Sequence, residues 1–99
     1  MSLLTNRAFI PSHVVVRTVA DEAVLLNLDT EHYYTLDSVA TSMMRHATTC
    51  PNLKTAVEQL LKEYDVNAEE LLRDFESLIR QLLQAKLLEL QPPEQPLSQ

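Results

Sequence analysis

Glycine is absent from this chain of 99 residues, and so is tryptophan. Without glycine there is no phosphate-cradling loop, because such loops need a backbone that approaches the anion with no Cβ in the way. A calcium loop is excluded on the same ground. The stretch "DTEHYYTLD" offers Asp29, Glu31 and Asp37, but it lacks the central glycine that the sharp turn requires. Tight turns with a positive φ must then fall to Asn or Asp, or avoid that geometry. The single cysteine, Cys50, rules out an internal disulfide and suits a reducing cytosol. His13, His32 and His46 each stand alone, without the paired spacing of a zinc site. His46 precedes Cys50 by four residues, but a helix end falls between them, so they form no nucleophile–base motif. No catalytic residue, metal ligand set or cofactor site emerges, and the chain reads as a non-enzyme.

Basic residues are also scarce: 8 Lys and Arg against 14 Asp and Glu, a net charge of -6. Such a surface repels phosphate backbones. Arg73 and Arg80 share a helical side, but Asp74 and Glu76 lie between them, and no basic stripe forms. No apolar run approaches the roughly 20 residues that span a bilayer. The start, "MSLLTNRAFIP", lacks a basic region followed by a long apolar run, so no signal peptide is read. The expected location is the cytoplasm, with neither membrane nor nucleic acid as partner.

What is present is an ordinary globular balance, 45% hydrophobic and 22% charged, in a length that makes one domain. Residues 1–11 carry no period and read as a flexible arm. "HVVVRTV", from His13 to Val19, is β-branched and predicts a strand. "AVLLNL", Ala23 to Leu28, predicts a second, with Val24, Leu26 and Leu28 on one face. "YYTL", Tyr33 to Leu36, predicts a short third, and the short links predict an antiparallel meander. Asp37 and Ser38 can cap a helix to about His46, which "TTCPN" breaks. Asn52 caps "LKTAVEQLLKEY", and Asn67 caps a long helix to about Lys86, with Glu69 and Glu70 in its first turn. "LLEL" is a short terminal strand or turn, and the proline-rich residues 91–99 predict a disordered tail. The fold class is α+β: a three-stranded antiparallel meander followed by three helices.

At about 100° per residue, Leu71, Phe75, Leu78 and Leu82 of the last helix form one stripe. Leu72, Ile79 and Leu83 form a second beside it. In one reading both stripes are core. In the other, the second lines a surface groove. Tyr33 and Tyr34, side by side on a strand, must point to opposite faces. A short strand ending a meander has an unpaired edge, which is a template for another strand.

The segments "AVLLNLDTEHYYTLDSVATSMM" and "VEQLLKEYDVNAEELLRDFESLIRQLLQAKLLEL" resemble the PqqD family, small proteins of pyrroloquinoline quinone biosynthesis. The likeness covers roughly residues 13–90 and rests on four features in order. These are the Leu-rich second strand, the aromatic pair followed by Leu-Asp, the acidic "EYDV", and the "DFESLIRQLLQAKLLEL" ending. The chain departs from the family at Glu31-His32, where relatives carry glycine before the aromatic pair, and near Ala40. It looks at least as similar to the stand-alone leader-binding proteins of lasso-peptide clusters. The resemblance implies a small winged-helix-like domain over 12–90, a recognition element for ribosomally made and then modified peptides. Such a domain binds the leader of a precursor peptide and presents it to a modifying enzyme such as a radical-SAM enzyme, a leader protease or a cyclase. The leader would add as a strand to Tyr33, Tyr34, Thr35 and Leu36 and lie against Leu72, Glu76, Ile79 and Leu83 of the long helix.

Two other readings fit the same elements: a winged-helix DNA-binding regulator, and a structural subunit of a larger complex. A recognition helix should carry Arg, Lys, Asn or Gln densely, and neither later helix does. Random duplex DNA should therefore show no submicromolar binding in a gel shift at physiological salt.

Overall fold

The computed structural model describes residues 3–92. Five strands and three α-helices follow a 3₁₀ turn at Leu3–Thr5: β1 Arg7–Phe9, β2 Val14–Val19, β3 Glu22–Asn27, β4 His32–Leu36, α1 Ser38–Thr49, α2 Leu53–Glu63, α3 Ala68–Gln84 and β5 Glu89–Gln91. The expected meander is present as an antiparallel sheet in the order β2-β3-β4. All three expected helices follow it.

Local chemistry explains each helix start. The side chains of Asp37, Asn52 and Asn67 accept hydrogen bonds from the backbone N–H groups of Ala40, Thr55, and Glu69 with Glu70. Each satisfies donors that the first turn leaves without a partner. Helix α3 ends with paired bonds, Leu87 N–H to the Leu82 carbonyl (2.9 Å) and Lys86 N–H to the Leu83 carbonyl (3.0 Å). That is a Schellman motif, with Lys86 at the position glycine usually holds.

The helices cover one face of the sheet. Ala23, Leu25 and Asn27 of β3 face inward and are buried, as is Leu36 of β4. Phe75, Ile79 and Leu82 of α3, Leu53 and Leu60 of α2, and Leu87 and Leu88 complete the centre of the core. Val24, Leu26 and Leu28 share the other face, as expected from their spacing. Val24 and Leu26 are only half-buried and Leu28 is exposed, on the side no helix covers. The small Ala23 lets the helices approach, and Asn27 can be buried because both ends of its amide are bonded.

Two further expectations change. In place of the flexible arm expected over 1–11, β1 pairs antiparallel with β5, Ala8 opposite Leu90, and the Leu53 N–H donates to the Asn6 carbonyl at 2.9 Å. Ala8 and Pro11 are buried there. A pairing between three-residue strands so far apart leaves no periodic trace in sequence. Of the tail expected over 91–99, Gln91 belongs to β5, Pro92 follows it, and the rest lies outside the described residues. Positive φ is held by Ala20 (56°), Glu31 (61°) and Lys86 (62°), not by Asn or Asp. Ala20 is the first central residue of the two-residue β2–β3 turn, the one position where a type II′ turn needs it. Among the described residues, no helix is long and apolar enough to cross a membrane.

A left-handed residue with a Cβ costs about 1–2 kcal/mol, against about 0.5–1 kcal/mol of extra chain entropy for glycine. Lys86→Gly should therefore stabilise the domain by about 0.5–1 kcal/mol and raise the melting midpoint by roughly 3–6 °C in a thermal scan.

Candidate peptide-binding site

The open edge of β4 is the first component of the site. Its hydrogen-bonding register follows from the other edge of the sheet. The Leu28 N–H donates to the His13 carbonyl at 2.8 Å, so that pair is a bonded one. Antiparallel pairs alternate between bonded and non-bonded. With Val14 opposite Asn27, residues Glu22, Val24 and Leu26 must turn their peptide groups toward β2. Ala23, Leu25 and Asn27 must turn theirs toward β4. The Asn27 carbonyl accepting from Glu31 N–H at 2.7 Å, in the β3–β4 turn, agrees. Their β4 partners are Leu36, Tyr34 and His32. Tyr33 and Thr35 therefore aim their N–H and C=O groups away from the sheet, and no further strand lies beside them among the described residues.

The second component is a groove between β4, the start of α1 and one flank of α3. Two shallow depressions share Gln81. One, of about 250 Å³, is lined by Val39, Ala40 and Met43 of α1 with Asp74, Ser77 and Leu78 of α3. The other, of about 390 Å³, is lined by Tyr34, Gln84 and Ala85. Helix α3 runs opposite to β4, so Gln84 and Ala85 lie near Tyr34, while Asp74 and Ser77 lie near the α1 start. The Asn27 amide fixes this arrangement by donating to the Ala85 carbonyl at 3.3 Å.

The paired tyrosines divide as alternation requires. Tyr34 shares the inward side of β4 with Leu36 and stands at the groove, 44% exposed. Tyr33 is 68% exposed on the opposite face, beside Leu26. Leu36 is buried and anchors the end of the strand in the core.

Of the helix residues expected at the site, Ile79 lies in the core, while Leu72, Glu76 and Leu83 are half-buried on its flank. Ile79 is 0% exposed, and none of Leu72, Glu76, Ile79 and Leu83 lines either depression. The buried arc of α3 is Leu71, Phe75, Ile79 and Leu82. At about 100° per residue, Leu72, Glu76 and Leu83 sit on one shoulder of that arc, and Asp74 and Gln81 sit roughly 160° away across it. The groove uses the second shoulder, with Leu78 as its apolar member. The sequence signal that could have found it is the polar set Asp74, Ser77 and Gln81, which flanks Leu78 on the side away from Leu72.

Electrostatically the groove has no cation. Neither Lys nor Arg lines it, while Asp74 does. Asp37 caps α1 at the same end, accepting from Ala40 N–H at 2.8 Å. Chemistry elsewhere is sparse. Near Cys50, which ends α1, His46 instead pairs with Glu63 of α2, joining the two helices. His32 begins β4 at the surface. Among the described residues, no group of three His, Cys, Asp or Glu could hold a metal ion.

An open strand edge running beside a helix-walled groove is a receptor for an extended peptide. The chain belongs to the PqqD family: the model of coenzyme PQQ synthesis protein D matches residues 22–88. Two solved structures share its fold. "TbiB1 in Complex with the TbiA(beta) Leader Peptide" is 31% identical, with a TM-score of 0.73, and the match covers 82% of this chain and 94% of that one. "Lasso peptide synthetase B1 complexed with the leader peptide" is 19% identical, with a TM-score of 0.72, covering 84% and 98%. No curated protein matches the chain.

A carboxylate at Ile79 would be buried without a partner, at a cost of several kcal/mol, which approaches the whole stability of a small domain. Ile79→Asp should abolish the cooperative melt seen by circular dichroism. Leu78→Asp, on the half-buried groove shoulder, should keep it, with a loss of about 1–2 kcal/mol.

Proposed function

We propose that this protein binds the leader segment of a ribosomally made precursor peptide and presents it to a modifying enzyme, without catalysis of its own. The observation that carries the reading is the free edge at Tyr33 and Thr35 beside the groove. The relative that shares 31% of its residues has a leader peptide in its structure. The leader adds as a fourth strand to the sheet, on the outer edge of β4. Its backbone bonds to the four outward groups of Tyr33 and Thr35, and alternate side chains enter the groove between Tyr34, Met43, Leu78 and Gln81. Tyr33, Tyr34 and Thr35 are thus the contact residues retained from the sequence. Leu78 and Gln81 replace Leu72, Glu76, Ile79 and Leu83 on the helix.

Net contributions of about 0.5–1.5 kcal/mol per hydrogen bond give roughly 2–6 kcal/mol from the four backbone groups. Association itself costs more, about 4–15 kcal/mol. The groove side chains must therefore supply the surplus, and a few anchors dominate. The modifying enzyme is of a class that acts on a tethered substrate, such as a radical-SAM enzyme, a leader protease or a cyclase. The complex works in the cytoplasm, where the precursor is made.

The register gives a test that side-chain substitution cannot. Proline removes one N–H. At Thr35 that N–H faces the leader, and at Tyr34 it bonds to Leu25 within the sheet. Thr35→Pro should keep a cooperative melt and lose leader binding by fluorescence anisotropy. Tyr34→Pro should lose stability by about 2–3 kcal/mol. The labelled probe is the leader from the neighbouring precursor gene. Full-strength leader binding to a folded Thr35→Pro protein would rule out strand addition.

A further inference from the structure

The groove is uneven along its length. At the Tyr34 end its walls are neutral amides, Gln81 and Gln84. At the α1 end an apolar floor of Val39, Met43 and Leu78 sits beside a single carboxylate, Asp74. Asp74 has no ion-pair partner among the described residues, where the sole ion pair is His46 with Glu63. The N-terminus of α1 also opens at this end and would favour an anion. Asp37 already holds that place, its carboxylate bonded to the first turn. Nothing positive is left over for an acidic ligand.

A strand docked on β4 with side chains in this depression would displace water from around Asp74. A carboxylate losing water is destabilised unless a donor or a cation replaces it. Its nearest protein cations do not line the groove, so the compensating group must come with the peptide. The net charge of -6 acts in the same direction at longer range, drawing in cationic segments and repelling acidic ones.

We propose that Asp74 makes the groove a charge filter, which selects leaders carrying Lys or Arg beside the apolar residue that fills the Val39–Met43–Leu78 floor. Acidic residues at that leader position are rejected. This rests on the peptide-binding reading above and deepens it: the backbone edge holds any strand, and Asp74 decides which strand.

The test is a display selection of random peptides on the full chain, run in parallel on the parent, Asp74→Lys and Asp74→Asn. The side chain of residue 74 is exposed, so all three should fold. The parent should enrich Lys or Arg at one position, fixed relative to an apolar residue. Asp74→Lys should enrich Asp or Glu at that same position, and Asp74→Asn neither. The best parent-selected peptide, synthesised and labelled, should bind Asp74→Lys roughly fivefold more weakly than the parent. That gap should narrow as salt rises from about 0.15 M to 1 M. If parent and Asp74→Lys select the same peptides, and these are lost on Thr35→Pro, strand addition stands and the charge filter is overturned. If no peptide is enriched, or enriched peptides ignore Thr35→Pro, the peptide-binding reading fails and the filter falls with it.

Discussion

The two walls of the groove are held together by one buried amide. Asn27, 1% exposed, accepts at Oδ1 from the N–H groups of Asp29 (2.9 Å) and Thr30 (3.2 Å), and its Nδ2 donates to the Ala85 carbonyl. The first two bonds shape the turn that delivers β4. The third ties down the last turn of α3. His13 adds a second tie, its Nε2 lying 2.9 Å from the Lys86 carbonyl. Leaving a buried carbonyl or amide unpaired costs about 1–3 kcal/mol, so the separation of strand and helix is set by hydrogen bonding rather than by apolar contact alone. Apolar packing tolerates sliding, whereas a bonded amide fixes a distance. The width of the groove between β4 and α3 depends on that distance.

Much of the fold was legible because it is local. Asp37, Asn52 and Asn67 announce helix starts by chemistry that acts within three residues. The meander follows from β-branched runs and short links. The β1–β5 pairing was not legible, because six residues at opposite ends of the chain meet only after the core forms. The family was legible from ordered motifs, and with it the strand edge. The burial of Ile79 was not. Periodicity shows that α3 has a broad apolar arc, but not where its centre lies. The packing of α3 against the other elements decides that, and it centres the arc on Phe75, Ile79 and Leu82. Leu78 and Gln81 line the depressions beside β4, on the shoulder opposite Leu72 and Leu83. Asn27 gave one signal, a polar residue in an otherwise apolar strand. Its meaning depends on the Ala85 carbonyl, 58 residues away.

The positive φ angles show how a chain without glycine manages its corners. Ala20, Glu31 and Lys86 each carry a Cβ into the left-handed region. Each lies at a place where surrounding bonds leave no other choice: a two-residue hairpin, the turn set by Asn27, and the end of α3. Strain of this kind persists when neighbouring structure over-determines the backbone. Two of these corners flank the Asn27 amide, which therefore offsets strain as well as setting the groove.

An open strand edge is open to every other strand, including that of an identical neighbour. Such edges seed aggregation when they are long, flat and uncharged. Here β4 has five residues, and only Tyr33 and Thr35 face outward. Carboxylates at Glu31 and Asp37 bracket them, and each copy carries a charge of -6. Two copies meeting edge to edge would gain few hydrogen bonds and would press like charges together. Brevity and acidity at this edge both weigh against pairing with a second copy.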